Sequence, residues 1–194
     1  LLHRPNWGDG IDVTFAKEAD RVDFGRGRIT ITTPGNFTSE RRQPHLYRFD
    51  QPGAEEMLAF FQRRKGRRGS FWAPSWTRDF RLSQVTPAGG TTFTVRGHEH
   101  LAAYVGDRVY RHVVHIRPDG TWQANEIIGW ADFNGNSRAT CAAQWQQEIR
   151  PGSRLHWLFR SRFTSDSLSV QWETPVAAHA QFSMTTLPAD EVPL

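Results

Sequence analysis

Among the residues of this chain, His98-Glu99-His100 are the best suited by type and spacing to hold a metal. In a strand, His98 and His100 point to the same face, as two ligands would. A tetrahedral site needs a third ligand and a supporting shell of hydrogen bonds. His112 and His115 are the candidate partners, but a spacing of three puts them on opposite faces of a strand. The plainer reading of His98–His100 is an exposed polar loop, and neither a metal nor another cofactor is expected. Catalytic chemistry is equally thin. The sequence has no G-x-S-x-G, H-E-x-x-H, Walker A or G-x-G-x-x-G motif. Gly25-Arg26-Gly27-Arg28 lacks the third glycine and the helix that a dinucleotide requires. Acidic residues are scattered; Asp166 and Glu173 lie near the last strands, but a glycosidase needs two carboxylates facing across a cleft. Cys141 is the single cysteine, which excludes an intrachain disulfide and a cysteine-rich zinc site. It reads as a small core residue. No catalytic residue is expected, and the chain is read as not an enzyme.

The strongest candidate for a charged surface is the run Arg63-Arg64-Lys65-Gly66-Arg67-Arg68, followed by Phe71 and Trp72. Basic side chains beside aromatics suit single-stranded nucleic acid, with bases stacked on the rings. A short charge run is more often a solvated helix end. A third reading, implied only by a family resemblance of the chain, has these arginines, with Arg41 and Arg42, forming ion pairs to a neighbouring subunit. Overall charge does not favour nucleic acid, because 24 Lys and Arg stand against 20 Asp and Glu, spread along the chain. All the basic residues but Lys17 and Lys65 are arginine, a bias that DNA contact, arginine–carboxylate interfaces or genome composition would each produce. Trp72, Trp76, Trp122, Trp130, Trp145, Trp157 and Trp172 raise the possibility of sugar stacking, but most tryptophans in β-proteins belong to cores or interfaces.

These residues need elements to carry them. With 194 residues the chain makes one large domain or two small ones, and no apolar run approaches the length of a membrane span. Leu1–Arg4 is too short and polar for a signal peptide, and residues upstream of Leu1 are expected. Ile11, Val13 and Phe15 alternate with polar residues as in a half-buried strand; Val22 and Phe24 continue the pattern, and Arg28 to Thr33 forms a further strand. Thr33 to Pro44 is expected as a long loop with a charged end, and His45–Phe49 as a strand. A helix is expected over Pro52–Lys65. Asp50 caps it, Pro52 suits its first turn, and Gly66 ends it in a left-handed conformation. Phe71 and Trp72 then enter a strand that lies at a sheet edge or leaves the sheet there, since Pro74 cannot donate to a ladder. Phe61, Phe71, Trp72 and Trp76 are the expected structural core of this stretch.

From Val85 the texture changes to short strands: Thr92–Val95, Val109–Ile116, Trp122–Gly129, Ala139–Ala143 and Leu155–Phe159. Pro118-Asp119-Gly120 and Asn134-Gly135 supply turns between them. This spacing is that of a small β-barrel or sandwich. After Ser161, Leu168–Trp172 and Val176–Met184 alternate again, with Ala178, Ala180, Phe182 and Met184 on one face. They read as strands returning to the N-terminal part, with Leu168–Trp172 paired to strands from before residue 50. The last residues, from Leu187, form a frayed tail or linker.

The stretch FFQRRKGRRGSFWAPSWTRDFRL, with HRPNW at His3–Trp7, resembles tail proteins of long-tailed bacteriophages and prophages. GDRVYRHVVHIRPDGT and SDSLSVQWETPVAAHAQFSMTTLP resemble later blocks of the same proteins, so the likeness covers most of the chain. It implies a mainly β fold: an antiparallel β-sandwich or barrel of tail-tube type with one flanking helix, formed by residues 1–84 and 161–194, and a small inserted β-barrel over 85–160. It implies a distal tail, or tail-tip, structural protein. Its copies form a hexameric ring between the tail tube and the tip or hub proteins, in virions assembled in the bacterial cytoplasm. DNA is then only passing cargo, and no membrane is involved. The rival reading is a carbohydrate- or receptor-binding β-module of the tail.

Overall fold

The computed structural model describes residues 40–187 continuously, together with Pro5 and residues 14–16, 20–23 and 29–32. The fold is mainly β and antiparallel, with two short helices. Contacts divide the chain into two compact units. One comprises Trp72–Phe159; the other combines the described parts of His3–Phe71 and Arg160–Leu194.

In the second unit, β4 (Glu40–Asp50) is flanked by β1 (Thr14–Ala16) and by β12 (Ala177–Thr186). On its other side β12 takes two strands in turn: β11 (Ser169–Thr174) against residues 177–181, and the end of β10 (Arg154–Phe163) against residues 184–186. A separate hairpin pairs β2 (Asp20–Asp23) with β3 (Ile29–Thr32). Two sequence expectations need correction. The charged end of the expected loop, Glu40–Pro44, belongs instead to β4. Pro44 faces Ser183 of β12, and among the described residues β1 covers only residues 40–42 on the other side, so Pro44 is not required to donate there. Among the described residues Leu168–Trp172 also does not reach the early strands; β11 pairs with β12, and it is β12 that pairs with β4. The strand assigned to Ile11–Phe15 is described only at its end, and Phe24, residues 33–39 and, apart from Pro5, His3–Trp7 lie outside the described residues.

The core of this unit follows the alternation read from sequence. Tyr47 and Phe49 of β4 are buried opposite Ala180 and Ala178 of β12, and Phe182 and Met184 are also buried. Helix α1 (Gln51–Arg63) contributes Ala54 and Met57 to the core. Its start is set by Asp50, whose carboxylate accepts from the Gly53 N–H at 2.9 Å. Phe163 is the hub of the core, with ring centroids of Phe61, Phe71 and Phe182 at 4.9, 4.8 and 5.2 Å.

In the Trp72–Phe159 unit the strand order is β10–β7–β8–β9–β6, with β7 (His112–Ile116), β8 (Trp122–Phe133), β9 (Asn136–Cys141) and β6 (Thr92–Arg96). β8 is long enough to pair with β7 through residues 122–126 and with β9 through 127–133, and its register shifts between Ile127 and Gly129. Asn134 and Gly135 both have positive φ, so the β8–β9 hairpin closes with the two-residue turn its sequence favours. No pairing among the described residues closes the expected barrel. The irregular segment 75–83 occupies the space between β10 and β6. It donates from Ser75 N–H to the Trp157 carbonyl, and Arg96 N–H donates to the Arg81 carbonyl. The core includes Phe80, Phe93, Val113, Trp145, Ile149 and Trp157.

Candidate interaction surface

The turn that ends α1 is built by backbone geometry. Lys65 and Gly66 are both left-handed, at φ 53° and 60°. A Cβ on Gly66 would lie 2.6 Å from a carboxylate oxygen of Asp166 and 2.9 Å from its Cα, so only glycine fits. Asp166 accepts from the Arg67 N–H at 3.0 Å and pairs with the Arg67 Nε at 2.8 Å. Arg64 lies over the Phe60 ring at 5.3 Å and donates to the Ser70 carbonyl. Arg63, Arg64, Arg67 and Arg68 are all exposed. Arg63 and Arg68 have no ion pair among the described residues, whereas Arg67 is committed to Asp166. Arg41 and Arg42 stand in β4, paired with Phe15 and Thr14, and their side chains lie outside the described residues.

Of the aromatic residues singled out from sequence, Phe71 and Trp76 are buried and Phe61 and Trp72 are half-buried. The Trp72 ring lies 4.5 Å from that of His112, tilted by 53°. Trp145 and Trp157 are core residues, Trp130 is half-buried, and Trp122 and Trp172 are exposed.

β11 is the other exposed feature. It pairs only with β12 among the described residues, and Val170 alone of its side chains is half-buried. Trp172 is 50% exposed, and Val176, in the turn to β12, is 67% exposed. The strand has no lysine, arginine or proline to discourage a further strand from adding to it.

The histidine pattern, weighed as a strand and read more plainly as an exposed polar loop, begins a helix instead. His98 is the N-cap of α2 (Glu99–Tyr104). His98 lies 3.5 Å from the Asp132 carboxylate, while His100 turns inward and donates from Nε2 to the Asp79 carbonyl at 3.0 Å. The aromatic surroundings draw His100 in, with Phe80, Tyr104 and Trp130 at centroid distances of 5.3, 5.6 and 5.9 Å. Burial lowers its pKa below the usual histidine range, partly opposed by its bond to Asp79 and the nearby Asp79 and Glu99 carboxylates. Burial likewise lowers His112 and His115. Among the described residues no group of three or more His, Cys, Asp or Glu could hold a metal. Cys141 is buried, and burial pushes its thiol up to about 12.

One constellation escaped the sequence reading: Ser75, Thr77, Asp79 and His156. The Asp79 carboxylate accepts from the Ser75 hydroxyl, from the Thr77 hydroxyl at 2.7 Å and from the Trp157 N–H at 2.9 Å. His156 donates from Nδ1 to the Thr77 carbonyl at 2.7 Å. Serine, histidine and aspartate are gathered here, but not as a nucleophilic triad: the Ser75 hydroxyl bonds directly to the carboxylate and the histidine bonds to a backbone carbonyl. Ser75 is also fully buried. The cluster pins the segment around Trp76, which is itself left-handed at φ 60°. Its only trace in sequence is the Ser-x-Thr-x-Asp spacing, which allows side chains to bond locally.

Asp166 and Glu173 are also accounted for, the first by Arg67 and the second by His179, whose Nδ1 is 3.2 Å from its carboxylate. No helix among the described residues is long and apolar enough to cross a membrane. No known protein family and no curated protein matches the chain.

Proposed function

We propose that this chain is a structural component of a bacteriophage tail tip, a distal tail protein. Its copies form a hexameric ring that joins the tail tube to the tip or hub proteins. In this reading the flanking segments, 1–84 and 161–194, make a tail-tube-like β domain, and 85–160 is a smaller β domain inserted into it. The protein is not an enzyme, needs no cofactor, works in the virion and meets DNA only as cargo. The observation that carries the proposal is the β11 edge: an exposed strand with one partner among the described residues, no lysine, arginine or proline guarding it, and Trp172 and Val176 exposed at its end. Such an edge favours strand addition between subunits. The exposed arginines at the end of α1 supply a polar contact of the kind that fixes orientation and register. The test is sedimentation velocity of the purified chain with negative-stain imaging. Closed rings are expected, and a chain that remains monomeric as its concentration rises overturns the proposal.

A further inference from the structure

β10 ends at Phe163 and β11 begins at Ser169, and both pair with β12. Between them, beside residues 182 and 183 of β12, lies a groove of about 490 Å³, within the size range of small-ligand sites. Its floor is Phe61 and Phe163, and its walls include Ser169, Gln171 and Gln181. In register, Ser169 faces Gln181 and Gln171 faces His179, so these four side chains share one face of the β11–β12 hairpin. The hydroxyls at the groove's start are engaged: Thr164 donates to the Ser183 carbonyl, and Ser165 and Ser167 bond to each other. Ser169, Gln171 and Gln181 are exposed and their side chains make no hydrogen bond among the described residues.

We infer that this groove binds a neutral glycan segment. Each glutamine amide offers both a donor and an acceptor, the pairing that vicinal sugar hydroxyls require. The half-buried Phe61 ring offers an apolar surface for a sugar's C–H face. The lining holds no lysine, arginine, aspartate or glutamate, so it does not select a nucleic acid or a charged polymer. A peptide anchored by apolar side chains lacks room, because Phe163 is 1% and Phe182 8% exposed, which closes the apolar floor. The inference does not depend on ring formation, and its test separates the two.

The test is calorimetric titration of the full chain with cellohexaose and with chitohexaose, and in parallel with a neutral glycine–serine decapeptide. At least one sugar should bind in the millimolar range or tighter. The double substitution Gln171→Ala with Gln181→Ala should weaken that binding by about tenfold or more. Its melting temperature should stay at the wild-type value, since both side chains are exposed. Absence of binding by both sugars overturns the inference. So does sugar binding that survives the double substitution, or binding of the decapeptide alone. Ring assembly is read separately by sedimentation of the same double variant, which should still assemble.

Discussion

Around Ser75 in the Trp72–Phe159 unit, and on the β11–β12 hairpin in the other unit, the chain places small polar side chains in opposite conditions. Ser75, Thr77 and Asp79 are knotted together, with a partner for each side chain and two histidines bonded to the backbone beside them. Ser169, Gln171 and Gln181 stand exposed, with no internal partner among the described residues. A polar group satisfied inside the protein contributes to one conformation and offers little to a ligand. One exposed on a rigid strand costs the fold nothing and keeps its hydrogen bonds for something else. The resemblance to a nucleophilic site therefore lies in the first region and the capacity to bind in the second.

The largest expected effect comes from removing the hub of the flanking unit. Phe163→Ala should destabilise the protein by about 3–5 kcal/mol, because four aromatic neighbours cannot collapse into the space left behind. Denaturant unfolding measures it. A loss below about 1 kcal/mol would mean that the core does not converge on this ring.

Asp79→Ala should cost about 2–4 kcal/mol, since it strands the Ser75 and Thr77 hydroxyls and the Trp157 N–H at once. Gln171→Ala should change stability by less than about 0.5 kcal/mol. Equal losses for the two would erase the contrast between knotted and free polar groups.

Acid should separate the regions next. His100, His112 and His115 all belong to the Trp72–Phe159 unit, and burial holds each below its ordinary value. The folded state then binds fewer protons than the unfolded one. The stability these groups contribute is present above about pH 6.5 and is lost as pH falls through their folded values. Melting should drop by several degrees between neutral pH and the low end of that window. His115→Gln should reduce the drop, and an unchanged acid response would remove histidine burial as its cause.

The smallest effect on folding is expected from Arg63→Glu with Arg68→Glu, since neither side chain has an ion pair among the described residues. Stability should stay within about 0.5 kcal/mol of wild type. Ring assembly by sedimentation should weaken, because like charges would then face acidic partner groups. Normal assembly with loss of salt-sensitive DNA retention would assign the patch to nucleic acid instead.

What the sequence alone determined is what neighbours along the chain decide. Asp50 caps α1 because its carboxylate needs only to reach Gly53. Asn134-Gly135 turns the β8–β9 hairpin because those two residues accept positive φ. The buried face of Ala178, Ala180, Phe182 and Met184 follows from a period of two. Only the tertiary structure decided the rest. Glu40–Pro44 reads as a polar loop until β12 pairs with it. His98–His100 alternates like a strand, but an aromatic pocket holds His100 on a helix. Asp79 meets Trp157, and Gly66 meets Asp166, across stretches of chain that no local pattern spans. Such contacts depend on which distant segments bury their apolar faces together. That is a property of the whole chain's packing, and no window of a few residues contains it.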